Sequence, residues 1–414
     1  MNIIPMKCPH CGADIQMSEE ATSKYIKGRC PNCKGVFIIK EAINHYNTTN
    51  NFIYDIKDSE VHFHGASKED FQIRAGVLEK YVGSSTTPII PSTVTIIGRE
   101  AFRDCKGMRS VTIPSSVYKI EEYACAYCEG LREVHFANNL QTIENYAFHG
   151  CKSLEKLVFP TTLRTIGYGC FSMCTSLKEV DFPEGLVEIL GFAFSGCECL
   201  GYIKLPNSLR RLDDRAFGDC KSLTGILKMP NNLKKIGGAA FMGCNYSDIY
   251  FNHVEEIGHN AFSQNNKLQH LVIPSTIRTI GGEAFSECNQ LISVKIMNGV
   301  TSIGFGAFSR CARLNSITIP GSVKTIPNSF CSNNPSLVRV NMGEGIQSVE
   351  GFAFARCTAL REIHFPSSVQ SCKENMHLFD GCTSLKKVMV GSYDACRRCL
   401  SRTIFGKCLN NKCR

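Results

Sequence analysis

The feature that most constrains this chain is a unit of about 23 residues that repeats along roughly three quarters of its 414 residues. One unit reads PSTVTIIGREAFRDCKGMRSVTI and the next reads PSSVYKIEEYACAYCEGLREVHF. Self-similarity at this fixed period predicts a solenoid, because a single unit cannot bury its apolar face without neighbours. We number thirteen units, ending at Val390, by their first residues: Pro91, Pro114, Ala137, Pro160, Pro183, Pro206, Pro230, Asn252, Pro274, Met297, Pro320, Gly343 and Pro366.

The units differ little in length. The sixth has one extra residue, the seventh and eighth each have one fewer, and the last has two extra. The whole chain exceeds the ~250–300 residues that a single hydrophobic core supports, which agrees with an array of units.

Each position within a unit has a physical role, which the second unit illustrates. An early aliphatic pair, Val117 and Ile120, is expected to point into the core. The unit ends on Leu131, Val134 and Phe136, an alternation typical of a short strand. The proline after most units ends that strand, because it cannot donate to a ladder. Thirteen such strands, about 4.8 Å apart in parallel, predict one curved sheet roughly 60 Å long.

An Ala-Phe pair in most units predicts an aromatic spine through the core. We call its aromatic position the phenylalanine column: Phe102, Phe148, Phe171, Phe194, Phe217, Phe241, Phe262, Phe285, Phe308, Phe354 and Phe379. The second unit has Ala124-Cys125 at this place and the eleventh has Phe330-Cys331. We therefore expect the spine to be thinner or locally shifted at these two units.

A cysteine recurs three positions after the phenylalanine column. This cysteine column comprises Cys105, Cys128, Cys151, Cys174, Cys197, Cys220, Cys244, Cys288, Cys311, Cys357 and Cys382. Asn265 and Asn334 replace it in two units, and alternation of Cys with Asn is typical of leucine-rich repeats. A small polar group here is expected to bond to the turn backbone while buried. Free thiols are favoured over disulfides, because stacked side chains point the same way, and over a metal-binding row, because no His or carboxylate joins the column.

The repeat resembles that of BspA-like leucine-rich-repeat proteins, whose unit reads much like IPSSVTSIGEYAFSGCTSLTSVT. The resemblance covers residues 91–390 and extends to 70–90, where 71–73 and 77–81 are similar to a hairpin that caps the first unit. It implies a right-handed solenoid with a parallel sheet, built from an α/β-type, mostly β repeat. It also implies a binding protein, and many BspA-like proteins are surface or secreted adhesins that bind host proteins.

Residues 1–40 carry two Cys-x2-Cys pairs separated by eighteen residues, a spacing typical of zinc ribbons. Four thiolates suit tetrahedral zinc and leave no position open for water, so the predicted cofactor is a structural Zn2+. The first pair, in CPHCG, also resembles the knuckles of small prokaryotic zinc ribbons. Zinc is favoured over disulfides or iron for the predicted ligands: Cys8, Cys11, Cys30 and Cys33.

Two further segments flank the solenoid. Residues 41–69 read as a linker with short strands, in which His62 and His64 share a face but have no third ligand near. Residues 391–414 form a basic tail, which we expect to cap the last unit. The tail holds four cysteines for which a second zinc, free thiols and disulfides all stay open: Cys396, Cys399, Cys408 and Cys413.

The net charge of +9 belongs to the two ends of the chain. Residues 1–40 carry +3 and residues 391–414 carry +5, whereas 41–390 carry only +1. A neutral body argues against nucleic acid as the partner. No stretch of about 18 apolar residues occurs, so no membrane span is expected. The N-terminus lacks the pattern of a secretory signal, and this, together with the free thiols, favours the cytoplasm over the cell surface.

The sequence shows no catalytic motif: it has no phosphate-binding glycine loop, no zinc-protease helix motif and no nucleophile elbow. We therefore predict a non-catalytic protein–protein interaction scaffold, with a cell-surface adhesin as the alternative. The exposed middle residues of the strands would form a strip whose mixed chemistry suits a protein or peptide. We predict that its middle part, the central strip, binds the partner: Lys204, Lys228, Tyr250, Val272 and Lys295. The sequence specifies neither the identity of the partner nor an oligomeric state.

Overall fold

The structure is a computed structural model, and strands and turns make up almost all of what it describes. The chain divides into two compact parts, Met1–Ser67 and Lys68–Arg414. The described residues contain no α-helix and one 3-10 turn, Lys68–Asp70, so the α/β part of the predicted repeat type is wrong and its mostly β character is confirmed. The described residues are 3–7, 14–18, 25–29, 36–40, 68–372 and 377–394.

The first part contains two antiparallel β-hairpins. One pairs Ile3–Lys7 with Asp14–Ser18, and the other pairs Tyr25–Arg29 with Val36–Lys40. The predicted zinc ligands lie outside the described residues: Cys8, Cys11, Cys30 and Cys33.

The second part begins with an antiparallel hairpin of Phe71–Arg74 and Val77–Tyr81, at the place where the sequence predicts a cap. Its second strand pairs in parallel with Ile96–Ile97, the first strand of the solenoid. Tyr81 is buried, and its ring centroid lies 5.2 Å from that of Phe102, at the start of the phenylalanine column. The hairpin therefore covers the apolar end of the first unit.

Each unit contributes a short strand early, and all but one contribute a longer strand at the end. The short strands are Ile96–Ile97, Lys119–Ile120, Thr142–Ile143, Thr165–Ile166, Glu188–Ile189, Arg211–Leu212, Lys235–Ile236, Glu256–Ile257, Thr279–Ile280, Ser302–Ile303, Thr325–Ile326, Ser348–Val349 and Ser371–Cys372. The long strands are Ser110–Ile113, Glu133–Phe136, Lys156–Val158, Glu179–Asp181, Thr224–Lys228, Asn245–Tyr250, His270–Ile273, Ser293–Ile296, Ser316–Ile319, Arg339–Met342, Glu362–Phe365 and Lys387–Val390.

The short strands form the more continuous of the two sets. From the N-terminal hairpin to Ser302–Ile303 they make one parallel sheet, and the last three make another. The register aligns the same column in every unit, so that Ile143 lies beside Ile120 and Ile166. The sequence predicts this aliphatic column as core packing alone, and the structure adds a hydrogen-bonded ladder to that role.

The long strands form four separate sheets, so the predicted single sheet of thirteen strands is wrong. Units 1 to 4, units 6 and 7, units 8 to 11, and units 12 and 13 pair in parallel among themselves. In unit 5 an isolated bridge between Glu179 and Tyr202 stands in place of a strand. At the far end Tyr393–Asp394 pairs antiparallel with the last long strand. The long-strand face is thus interrupted on both sides of units 6 and 7.

The segment between the two strands of each unit folds into consecutive turns and carries a third ladder. Two residues per unit have positive φ, as at Glu100 (57°) and Asp104 (61°). The N–H of Phe102 donates to the carbonyl of Ala124 in the next unit at 2.7 Å. Three equivalent bonds cross each boundary from units 1 and 2 to units 11 and 12. We call this set of bonds the turn ladder; it supplies partners for backbone groups that burial would otherwise leave unsatisfied.

The phenylalanine column forms the stacked spine that the sequence predicts. The ring centroids of Phe194 and Phe217 lie 5.2 Å apart with 3° between their planes, and Phe241 follows at 5.6 Å. At unit 11 the ring comes from Phe330, which meets Phe308 edge-on at 76°. The predicted local shift at this unit is confirmed.

The cysteine column forms a row of thiols beside this spine. The thiol of Cys197 donates to the carbonyl of Phe171 at 3.2 Å, and equivalent bonds recur along the column. Asn265 replaces the thiol with an amide that donates to the carbonyls of Phe241 and Phe262. The described column cysteines are free, and burial raises the pKa of Cys197 well above its ordinary value, which keeps the thiol protonated as a donor. The predicted role of the column, a small group bonded to the turn backbone, is confirmed.

Candidate interaction surface on the long strands

The five residues of the central strip lie on the exposed face of the long strands, where they alternate with buried residues. The register places Lys228 beside Tyr250, and Val272 beside Lys295, on neighbouring strands. Lys204 follows the isolated bridge of unit 5. The structure thus places the strip on the surface expected from the sequence, and its role in binding stays a prediction.

A β-bulge lies beside the strip, where the long strands of units 6 and 7 pair. Four positions, instead of the usual three, separate the buried Leu223 from the next buried strand residue, Leu227. The register shifts between Gly225 and Ile226, and Gly225 has a φ of +78°, which glycine adopts without strain. Ile226 directly precedes the buried Leu227 and is exposed, as Glu133 is before the buried Val134 in unit 2.

Unit 7 lacks a residue and fills the space with a larger side chain. Tyr246 follows Cys244 after two positions, where most other units have a leucine after three. Tyr246 is buried, and its N–H donates to the side-chain oxygen of Asn265 in the next unit at 3.3 Å. Its hydroxyl has no hydrogen-bond partner among the described residues, and burial raises its pKa well above the ordinary value. The gain in unit 6 and the loss in unit 7 thus change the long strands while the turn ladder continues through both units.

Exposed apolar side chains cluster on this part of the long-strand face. Tyr202 is 64% exposed, Val272 is 56% exposed, and Ile226 and Tyr250 are each 49% exposed. Tyr202 and Ile226 lie two positions before the strip residues of their units and so share their face. The strip predicted from the sequence takes one exposed position per unit and so omits these two residues. The strands of other units also expose the residue two positions earlier, as at Glu133 and Lys156.

The three lysines of the central strip have no ion pair with any described residue. In the neighbouring turn segments and strand starts, lysines pair with glutamates of adjacent units. Lys178 contacts Glu155 at 2.8 Å, and Lys221 contacts Glu198 at 2.7 Å. The strip therefore offers cations next to exposed apolar side chains.

An open cavity of about 290 Å³ lies beside the turn segments that lead into the long strands of units 6 to 8. The side chain of Asn245 donates there to the carbonyl of Lys221 at 2.7 Å. These polar groups lie at one end of the two strands whose other end carries Lys228 and Tyr250. The cavity is lined by Asp219, Lys221, Gly243, Asn245, Gln264 and Asn266.

The turn segments of units 2 to 5 carry a second group of aromatic side chains. Tyr123 and Tyr146 stack with centroids 5.0 Å apart and 5° between their planes, and Tyr168 and Phe192 continue the row. The guanidinium of Arg103 lies over the Tyr123 ring, 5.5 Å from its centroid. These rings contact one another and the guanidinium, so the row stabilises the stacking of the units.

Metal ligands and nucleophiles were sought on the same surfaces. Among the residues that the structure describes, no three His, Cys, Asp or Glu side chains form a group that could hold a metal ion. Burial raises the pKa of Cys288 to about 12, so this thiol does not form a thiolate near neutral pH. Cys199 is an exposed free thiol. The tail cysteines lie outside the described ranges: Cys396, Cys399, Cys408 and Cys413.

The fold and its exposed strand face define a β-solenoid repeat protein. The model of the BspA type leucine rich repeat region, in six copies, matches residues 79–201, 187–309, 224–338 and 280–410. These matches overlap and together cover most of the chain, so the chain belongs to the BspA-type leucine-rich-repeat family. No protein of curated function matches the sequence.

Solved structures support the fold. A leucine-rich repeat protein from Bacteroides ovatus is 27% identical over 81% of this chain and 94% of its own, with a TM-score of 0.64. A leucine rich cell surface protein from Faecalibacterium prausnitzii is 23% identical over 84% of this chain and 98% of its own, with a TM-score of 0.48. The pneumococcal vaccine antigen PcpA is 20% identical over 74% of this chain and 89% of its own, with a TM-score of 0.46. Of these three, the first carries the assignment of the fold.

Within the described ranges, no helix has the length and apolar character needed to cross a membrane.

Proposed function

We propose that the chain is a non-catalytic scaffold that binds a partner protein on the long-strand face, at the central strip together with Tyr202 and Ile226. The observation that carries this proposal is the cluster of exposed apolar side chains and unpaired lysines on units 5 to 9. A contiguous apolar patch rimmed by polar groups is typical of interaction sites. Solenoids use such extended faces for binding, because nearest-neighbour stacking leaves the face free to vary.

Parallel affinity capture from the source cells tests this function. The bait is the full chain, the Lys204→Glu/Lys228→Glu/Lys295→Glu variant, or a matched Lys106→Glu variant that reverses an exposed charge on the turn segment of unit 1. Proteins retained by the first and third baits and lost by the second are the expected result. An identical set of proteins on all three baits would place the partner elsewhere and contradict the proposal.

Adhesion at a cell surface is the second candidate function. Membership in the BspA-type family agrees with it, and the comparisons do not support the predicted cytoplasmic location. The buried thiols favour neither compartment, because a protonated thiol without solvent contact does not meet an oxidant. Fractionation of the source cells, with protease digestion of intact cells, separates the two. Loss of the protein on digestion supports the adhesin, and full protection supports the cytoplasmic scaffold.

We also propose a structural zinc at the N-terminus, held by Cys8, Cys11, Cys30 and Cys33. In sequence, one Cys pair falls between the hairpin strands that end at Lys7 and begin at Asp14, and the other falls between Arg29 and Val36. Four thiolates from two such Cys pairs suit tetrahedral Zn2+. Metal analysis of the purified chain should find about one zinc per chain. Retention of that zinc in a Cys8→Ser/Cys30→Ser variant would contradict the ligand set.

The same measurement tests the tail. A second zinc that disappears when residues 391–414 are removed supports a tail site at Cys396, Cys399, Cys408 and Cys413. One zinc per chain in both forms leaves the tail cysteines as thiols or disulfides.

A further inference from the structure

We propose that the central strip, with Tyr202 and Ile226, recognises an acidic protein segment that carries apolar side chains between its carboxylates. This inference rests on the proposed function, since it names the chemistry of the partner that binds the same face. Three observations carry it: the cations of the strip, their order along the solenoid, and the charge of the surrounding face.

The cations are available for a partner. Lys204, Lys228 and Lys295 are exposed and have no carboxylate partner among the described residues. Lysines on other faces of the same units are engaged, as Lys235 is with Glu256 at 2.9 Å. A partner that brings carboxylates to the strip therefore forms ion pairs without first breaking any within this chain.

The order of side chains fixes the pattern that the partner must match. Two lysines, in units 5 and 6, are followed by Tyr250 and Val272 in units 7 and 8, and then by Lys295 in unit 9. At about 4.8 Å per unit, the five positions span roughly 19 Å. Tyr202 and Ile226 widen the apolar area beside the first two lysines. The complementary segment has carboxylates at both ends and apolar groups in the middle.

A polyanion such as nucleic acid fits this face less well. Its phosphates would lie along the whole span, including the apolar middle, where no cation meets them and desolvation is costly. Asp181 holds the strip position in unit 4, one unit before Lys204. Asp248 of unit 7 lies beside Ile226 on the neighbouring strand. Both carboxylates would repel a continuous phosphate backbone. A protein segment with separated carboxylates avoids both penalties.

Selection from a random peptide library tests the proposal. Peptides about five to six residues long span the strip when extended, so a displayed library of about 12 residues is sufficient. The full chain is the target, and a parallel selection on the Lys204→Glu/Lys228→Glu/Lys295→Glu variant identifies peptides that bind elsewhere. The expected result is enrichment of peptides with Asp or Glu flanking aromatic or aliphatic residues.

Affinities of the enriched peptides sharpen the result. We expect each single Lys→Ala change in the strip to weaken binding roughly five-fold. Tyr202→Ser should weaken it roughly ten-fold, because it removes an apolar contact. Lys106→Glu should leave the affinity unchanged. Binding should also weaken as salt rises, since the ion pairs are exposed.

The outcomes separate this inference from the function on which it rests. Enrichment of strip-dependent peptides that are basic or uncharged overturns the acidic chemistry and keeps the strip as a binding surface. Enrichment of acidic peptides that bind the variant equally well, or of no strip-dependent peptide, contradicts both. Circular dichroism of the variants confirms that the exposed substitutions leave the fold intact.

Discussion

The turn segments and the long strands of the same units differ sharply in regularity. The turn ladder crosses every boundary from unit 1 to unit 12 with three equivalent bonds, and the phenylalanine column stacks without a break from Phe148 to Phe308. The long strands are interrupted at unit 5, between units 7 and 8, and between units 11 and 12. The turn segments and the long strands belong to the same units. The difference in regularity is therefore between two faces of the solenoid and not between its two ends.

The comparison shows where this solenoid tolerates change. Stacking depends on nearest-neighbour contacts, which here are made by the turn ladder, the spine and the short strands. The extra residue of unit 6 and the missing residue of unit 7 fall between the cysteine column and the buried residues of the long strands, where the register shifts between Gly225 and Ile226. The exposed apolar side chains gather at the same place. We infer that the turn side holds the units together and the long-strand face is free to bind.

Alkaline pH should cause the largest loss of stability, through the buried thiols of the turn segments. Burial raises the pKa of the Cys288 and Cys331 thiols to about 12, whereas an unfolded thiol titrates near ~8.5. The folded chain keeps protons that the unfolded chain loses, so this stability is full below ~8.5 and is lost as pH rises toward the folded value. In that pH range each such thiol lowers the free energy of unfolding by about 1.4 kcal/mol for every pH unit.

Urea unfolding between about pH 7 and pH 10 measures this loss as a falling midpoint. Cys199→Ser is the matched control, because this thiol is exposed and lies outside the cysteine column. A midpoint that stays level across the range would contradict the role assigned to the buried thiols.

The spine should be the next most sensitive element. Phe217 is fully buried between Phe194 and Phe241, so Phe217→Ala leaves a cavity and should lower the free energy of unfolding by about 3–5 kcal/mol. Tyr202→Ala on the long-strand face should change it by less than about 0.5 kcal/mol. Urea unfolding of the two variants measures both changes. Similar losses of unfolding free energy in both would contradict the claim that the two faces contribute differently to stability.

Asn265 replaces the column cysteine in unit 8, so substitutions there test what the column contributes to stability. Its side-chain amide donates to the carbonyls of Phe241 and Phe262 and accepts from the N–H of Tyr246. Asn265→Ala leaves these buried groups unsatisfied and should cost roughly 1–3 kcal/mol in unfolding free energy. Asn265→Cys restores the thiol found in other units and should cost less. Equal losses in both variants would show that packing, and not hydrogen bonding, sets the column.

The sequence predicts the elements that the repeat enforces. The phenylalanine column, the cysteine column with its Asn substitutes, and the exposed position of the strip all follow from residues that recur at one spacing. The continuity of the long-strand sheet does not, because pairing there depends on single insertions and deletions that a repeat average hides. Tyr202 is exposed at the position where Glu133, Lys156 and Glu179 are exposed in units 2 to 4, although unit 5 has only a bridge to unit 4.

Substitutions at the positive-φ positions of the turn segments should change stability least, and they test the backbone conformation that the turn ladder requires. Met173 has a φ of 60° and an exposed side chain, so Met173→Gly should relieve backbone strain and raise stability by about 0.5 kcal/mol. Gly150 has a φ of +70°, and an added Cβ would lie 3.0 Å from the ring of Tyr127, so Gly150→Ala should lower stability by about 1 kcal/mol. Thermal unfolding of the two variants should therefore shift in opposite directions, and shifts of the same sign would contradict this account of the turns.

Hydrogen exchange of the full chain, with and without the partner obtained by affinity capture, tests the central claim most directly. The account predicts slower exchange on binding in residues 201–205, 224–228, 245–250, 270–273 and 293–296, with the turn segments of the same units unchanged. Slowing confined to the turn segments, or to units 1 to 3, would contradict the claim that the interrupted long-strand face is the binding surface.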